Sequence, residues 1–190
     1  MTTITRAAAV SPDALRETFS HFPQGVALIG AEVAGTPLGL VASTVTAGVS
    51  LDPPLISVAV QTTSSTWPLL RTAPALGISL LGTHQSLLAR QLASKDRTSR
   101  FAGIDPQITP DGALTIPGGP AHLWTRLYSE VEAGDHTVAF LEVLDTSSRT
   151  DADRRTDTGA GTDARIPAAD VAATDALVFH RSAFKGMTAP

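Results

Sequence analysis

Residues Leu38–Thr66, LGLVASTVTAGVSLDPPLISVAVQTTSST, decide the fold. At their centre lies a corner, Ser50-Leu51-Asp52-Pro53-Pro54. Two prolines fix φ and remove two backbone donors, and Asp52 is placed to bond the chain just ahead of it, so the flanking segments must turn sharply. The stretch before the corner is β-rich and bears hydroxyls. Beyond it, Leu55-Ile56-Ser57-Val58-Ala59-Val60 has almost no polar alternation and reads as a strand covered on both faces. That strand runs into Gln61-Thr62-Thr63-Ser64-Ser65-Thr66, whose hydroxyls and backbone N–H groups suit an uncharged, concave anion nest of the size of a phosphate.

Working outward, Ser11-Pro12-Asp13 reads as an N-cap, a proline at the first helical position and a first-turn acid. Leu15, Thr18, Phe19 and Phe22 follow at helical spacing, which predicts a short helix packed on the β-structure. Residues 25–33 and 38–46 are predicted strands of a hairpin around Ala34-Gly35-Thr36-Pro37. One helical turn is expected over 67–71, a strand over 75–81 and a helix over 85–94, with Leu88 and Leu92 at i and i+4. Residues 121–131 and 136–145 form two extended runs joined by Glu132-Ala133-Gly134-Asp135, and a last extended run covers 176–180. The expectation is one all-β domain over residues 1–190 with short peripheral helices. Residues 146–174 are polar, aromatic-free and aperiodic, the pattern of a flexible inserted loop. Within them Gly159-Ala160-Gly161-Thr162-Asp163-Ala164 has the letters of a dinucleotide fingerprint without its strand and helix.

The 190 residues, 43% of them apolar, suffice for one domain with a substantial core. A net charge of −4 and only two lysines, Lys95 and Lys185, argue against nucleic acid as a partner. Without a long apolar run or a secretory signal pattern in residues 1–10, no membrane partner is expected and the cytoplasm is the expected location. Zero cysteines exclude thiolate chemistry, so a redox function would need an organic cofactor. His21, His84, His122, His136 and His180 lack short metal spacing, and no metal site is expected.

The central segment resembles the flavin reductase family. Its members carry a Gly-Leu stretch rich in Ser and Thr, then Val-Ser-Leu-Asp-Pro-Pro-Leu, then a Ser/Thr loop. The similarity continues in Leu88-Ala89-Arg90-Gln91-Leu92-Ala93, Arg100-Phe101-Ala102-Gly103, Gly134-Asp135-His136 and Leu177-Val178-Phe179-His180 with Phe184 after it, over roughly residues 12–145 and 175–187. The resemblance implies an antiparallel FMN-binding split β-barrel of Greek-key type that transfers hydride from NADH or NADPH to FMN, or to FAD. It also implies a homodimer and a separate monooxygenase that receives the reduced flavin. A flavin carrier or sensor without nicotinamide turnover, and a self-sufficient FMN-dependent oxidase or oxygenase, stay open at this point.

By the same resemblance Val41, Ala42, Ser43 and Thr44 line the isoalloxazine ring, with Thr46 and Ala47 continuing the lining. Gln61, Thr62, Ser64, Ser65 and Thr66 hold the phosphate, Arg71 or Arg100 supplies positive charge, and Phe101 belongs to the cofactor site. His136 is the catalytic candidate, positioned at the nicotinamide on the rim of an apolar face shared with Val138, Phe140 and Leu144. Two departures from the family pattern stand out. Gly48 looks like one inserted residue, as in a β-bulge, and Phe184 stands where the family has a tyrosine.

Overall fold

The protein is described from a computed structural model, which covers residues 10–148 and 175–187. It is mostly β, with antiparallel pairing throughout and a few short helices. Helix α1 (Pro12–Ser20) begins as its sequence dictates. Ser11 Oγ accepts from the Ala14 amide at 3.2 Å, Pro12 occupies the first turn, and Asp13 pairs with Arg16 at 2.7 Å. The expected packing of this helix is not found. Every α1 residue escapes burial, and Phe19 and Phe22 are 59% and 63% exposed. The Thr18 hydroxyl turns back to the Ala14 carbonyl at 2.8 Å, and among the described residues nothing buries the apolar stripe.

The strands are β1 (Gln24–Gly25), β2 (Ala27–Val33), β3 (Thr36–Ala42), β4 (Thr46–Leu51), β5 (Pro54–Gln61), β6 (Leu76–Leu80), β7 (Gln107–Ile108), β8 (Leu114–Thr115), β9 (Ala121–Ala133), β10 (His136–Ser148), β11 (Val178–His180) and β12 (Ala183–Lys185). Helix α2 (Trp67–Leu70) follows β5. Helix α3 (Ser86–Leu92) follows β6 through a 3-10 turn at Thr83–Gln85. Seven strands form one sheet in the order β3-β2-β6-β9-β10-β5-β4. Its end strands β3 and β4 share no hydrogen-bonded ladder, so the sheet stays open between them.

The expected strand over 25–33 is split at Val26. Gly25 pairs with Val178 in the small sheet β1-β11-β12, whereas Ala27 pairs with Leu80 in the large one. Val26 bridges the two: its amide donates to the Leu177 carbonyl at 3.0 Å and its carbonyl accepts from Leu81 at 2.9 Å. Thr146, Ser147 and Ser148 continue β10 against Leu123, His122 and Ala121, so pairing extends into the stretch expected to be loop. The rest of that expected loop, with its Gly159–Ala164 fingerprint letters, lies outside the described residues.

The corner after β4 turns sharply, with the Asp52–Pro53 peptide cis. It is the Ser50 hydroxyl that accepts from the Asp52 amide, at 3.2 Å, rather than the Asp52 carboxylate that bonds the chain. Gly48, at φ +73°, sits in a bulge between paired Thr46–Ser57 and Ser50–Leu55. Four steps on β4 face two on β5 there, so the irregularity is larger than a single extra residue. Strand β5 is covered on one face only. Ile56, Val58 and Val60 are buried, while Leu55, Ser57 and Ala59 are half-buried, because their face borders a cavity and solvent.

The main core joins Ile29, Ile56, Val58, Leu70, Leu76, Ala139 and Leu141 between the curled halves of the large sheet. Leu28, Leu92, Leu114 and Ile116 pack a second cluster beneath β3. Strand β8 reaches this depth by lying across a flat saddle of two paired glycines, Gly30 and Gly77.

Candidate cofactor site

A cavity of about 600 Å³ opens where three walls meet. The C-terminal end of β3 and the residues after it, Leu40–Thr44, form the first wall. The second is the end of β5, Ala59–Gln61, with the loop Thr63–Thr66. Leu92 and Ala93 of the α3 end, with Lys95 and Arg100 beyond, form the third, and His136 stands on the rim.

On the first wall the hydroxyls are braced within the protein. Ser43 Oγ donates to Gln24 Oε1 at 2.9 Å and Thr44 Oγ1 donates to the Ala59 carbonyl at 2.7 Å. The last β2–β3 pair is Ala27–Ala42, so the Ser43 and Thr44 amides lie past the ladder and donate to no group among the described residues. Unpaired amides beside an apolar wall suit the carbonyl- and nitrogen-rich edge of a flat heterocycle.

The phosphate-loop expectation is refined by the hydrogen bonds. Ser64 Oγ accepts from the Thr66 and Trp67 amides at 3.3 and 3.2 Å, and the Ser64 amide donates to the Gln61 carbonyl at 2.9 Å. Those three amides are therefore committed. The Thr63 and Ser65 amides, with the Ser64 and Ser65 hydroxyl protons, have no acceptor among the described residues and remain for a ligand. Thr62 turns away from the cavity and binds the Asp135 carbonyl through both its amide, at 3.0 Å, and its hydroxyl, at 3.1 Å. This bond pair fixes the loop to the turn that carries His136.

His136 is paired with Asp135 through Nδ1 at 2.8 Å and is about one-third exposed. With the carboxylate accepting, Nδ1 carries a proton, and Nε2 has no partner among the described residues. The hydrogen bond from His136, and then the charge of that ring, hold the Asp135 carboxyl below its ordinary pKa. His136, Val138 and Phe140 lie on the face opposite core residues Ala139 and Leu141. Leu144 falls in a β-bulge and is half exposed.

Several expected residues lie elsewhere. Thr46 and Ala47 are exposed on the bulged edge strand β4, carried off the cavity wall by the turn at Ser43–Val45. Phe101 packs under β3 with the second core cluster, close to Gly39, rather than facing the cavity. Arg71 points into a neighbouring cavity of about 530 Å³, where it pairs with Glu130. Phe184 sits edge-on to Phe179 at 5.5 Å, with the Arg90 guanidinium 5.6 Å from its ring centre, so packing and a cation–π contact occupy the position where a hydroxyl is missing.

Sequence reasoning did not name Leu40, Ala59, Val60, Leu92, Ala93 or Lys95 as cavity residues. Nor did it give Gln91 its role. Gln91 Nε2 donates to the Arg100 and Ala102 carbonyls at 3.1 and 2.8 Å and ties down the loop bearing Arg100. Glu130 was missed too. It accepts from Trp67 Nε1 at 2.7 Å and from Arg71, and so anchors α2 directly behind the hydroxyl loop. Glu130→Ala is expected to lower stability by about 1–3 kcal/mol by orphaning the buried indole N–H, as urea denaturation reads. A midpoint unchanged from the parent would show that the anchor is dispensable.

The flavin reductase like domain matches residues 19–188. Over 137 residues the chain is 31% identical to HsaB, the reductase subunit of a flavin-dependent monooxygenase from Rhodococcus jostii, covering 72% of this chain and 69% of that one. It is also 31% identical over 134 residues to SmoA, an FMN reductase (NADH) of Agrobacterium fabrum, covering 70% and 75%. The solved structure of SgcE6, the NADH:FAD oxidoreductase of Streptomyces globisporus C-1027 in complex with NAD and FAD fragments, superimposes with a TM-score of 0.76 at 26% identity, covering 96% of this chain and 98% of that one. A match across nearly the whole described sequence and a shared strand framework lead to one assignment: the chain belongs to the flavin reductase family.

Proposed function

We propose that this protein is an NADH-dependent flavin reductase, an oxidoreductase of the class acting on flavin with NAD(P)H, that supplies reduced FMN or FAD to a separate monooxygenase. The observation that carries this reading is the polarity of the cavity along its length. Unpaired Ser43 and Thr44 amides stand at the end where Thr44 bonds Ala59, the hydroxyls and amides of Thr63–Ser65 lie toward the end where Arg100 links Gly39 to Thr66, and apolar Leu40 and Val41 occupy the strand between. That order matches a ring with a polar edge, an aromatic body and a phosphate-bearing tail. Bound there, the flavin would supply the hydride-accepting ring.

The chain's own part is to hold and orient. The end of β3 fixes the ring edge, the hydroxyl loop takes the phosphate, and His136 at the rim positions the nicotinamide over the open side. The sheet in this reading is a split barrel. Its outer face carries exposed Tyr128, Val131 and Leu144 beside half-buried Val138 and Phe140, and a second copy of the chain covers it as a homodimer. A cytoplasmic location belongs to the same reading. Similarity to reductase subunits such as HsaB supports the monooxygenase partner.

Anaerobic titration of the protein and FMN with NADH tests the proposal. Catalytic bleaching of the flavin absorbance is expected. Binding without bleaching would make the protein a flavin carrier or sensor, and oxidation of an organic substrate without a partner would make it a self-sufficient oxygenase.

A further inference from the structure

Sequence expectation gave the positive charge at the phosphate to Arg71 or Arg100, and the structure engages both guanidinium groups with other parts of the chain. Arg71 is paired with Glu130 outside the cavity. Arg100 does line the cavity, but its Nε donates to the Ser94 carbonyl at 2.7 Å, and its Nη1 to the Gly39 carbonyl at 2.7 Å and the Thr66 hydroxyl at 3.0 Å. It acts as a staple joining β3, the start of α2 and the loop after α3. Arg97 is a second staple, donating from Nη1 to the Ser65 carbonyl at 3.0 Å. These contacts draw residues 94–100 against residues 64–66, so that two loops face each other across the cavity mouth.

One cation of the facing loop is left over. Lys95 lines the cavity, is exposed, and makes no hydrogen bond or ion pair among the described residues. The same cavity is lined by Thr63 and Ser65, whose amides and Ser65 hydroxyl donate to no group among the described residues and are all neutral donors. A phosphate monoester carries close to two negative charges at neutral pH, and neutral donors orient such a group without neutralising it. A flexible ammonium on a four-carbon stem closes over a dianion as a point charge, a task that does not demand the fixed fork of a guanidinium. The arginines build the site and the lysine fills its charge.

We propose that Lys95 is the phosphate-binding cation of this site, closing from the loop after α3 onto a flavin phosphate held by Thr63–Ser65, and that it sets a preference for phosphorylated flavin over riboflavin. This rests on the flavin reading above. It separates Lys95 from the two arginines, whose loss would disturb loop positions and so the binding of any flavin.

The test compares Lys95→Met with the parent protein, measuring dissociation constants for FMN and riboflavin by flavin fluorescence at two salt concentrations, together with the KM for NADH. The expected result is a loss of FMN affinity of roughly tenfold to a hundredfold, with riboflavin affinity within about twofold of the parent. FMN binding should also lose part of its salt dependence. Lys95→Arg should recover most of the affinity. Equal losses for FMN and riboflavin, or no loss for either, overturn the assignment, as does a rise confined to the KM for NADH, which would give Lys95 to the nicotinamide dinucleotide. Failure of the parent protein to bind either flavin is a different outcome. It sinks the flavin reading itself and this assignment with it.

Discussion

His136→Ala is expected to slow reduction of bound flavin by NADH by between about fivefold and a hundredfold, the range equivalent to one hydrogen bond of roughly 1–3 kcal/mol. Flavin affinity should change little. The ring stands on the rim, on a strand separate from both the β3 wall and the hydroxyl loop, and its Nε2 has no partner in the described chain. Anaerobic stopped-flow reduction reads the rate, and a flavin titration of the same variant reads the affinity. Reduction as fast as in the parent, or a collapse of flavin binding with normal reduction of the bound fraction, would make the histidine a structural residue. The pH dependence has a definite sign. Asp135 has a lowered pKa in the folded protein, so its contribution is present above the ordinary carboxylate pKa and lost only as pH falls through the lowered value. An acid limb of the reduction rate that appears above roughly pH 5 therefore does not arise from Asp135 losing its charge.

Gly77→Ala should be the most damaging single methyl in the sheet. A Cβ there would lie 2.1 Å from the Leu114 carbonyl oxygen, 2.5 Å from its carbon and 2.8 Å from Thr115 Cγ2. Two of those three atoms are backbone, and both β8 residues, Leu114 and Thr115, are fully buried, so relief requires the strand to lift. Overpacking of this kind costs about 3 kcal/mol, and for a chain of this size the melting temperature falls by roughly 6–12 °C. Gly25→Ala is the control: its nearest atom would be the end of the Leu80 side chain at 3.6 Å, and stability should stay within about 0.5 kcal/mol. Equal melting of the two variants would mean that β8 yields easily.

What could be read from the sequence was what short-range chemistry dictates. The Ser11 cap, the Gly134-Asp135 turn and the strands either side of the Asp52-Pro53-Pro54 corner depend on neighbours within a few residues, and all are found. The one-sided burial of β5 escaped notice because Ser57 and Ala59 are small enough to pass for core, although both are half-buried and Ala59 lines the cavity. The exposed stripe of α1 escaped because periodicity reports that a helix has an apolar face, not what covers it. Within the site, Val41–Thr44 and Ser64–Thr66 line one cavity, and they lie on the segment that also shapes the corner. The arginines and Lys95 could not be ranked. Their difference lies in which carbonyls they meet, and Gly39 and Arg100 are 61 residues apart.

Val26 gives the fold a particular order of assembly. Its amide and carbonyl, with the hydrogen bond that the Leu177 amide donates to the Leu81 carbonyl at 2.8 Å, tie together three segments drawn from the beginning, middle and end of the described chain. Leu177 itself is 1% exposed. Closing a loop of that span is entropically costly and gives nothing back until the last partner arrives. The large sheet can pair first through its local hairpins, and the strap formed by β11 and β12 docks afterwards. Val26 and Leu81 are therefore satisfied only after Leu177 has docked, which makes the strap the last part of this core to close.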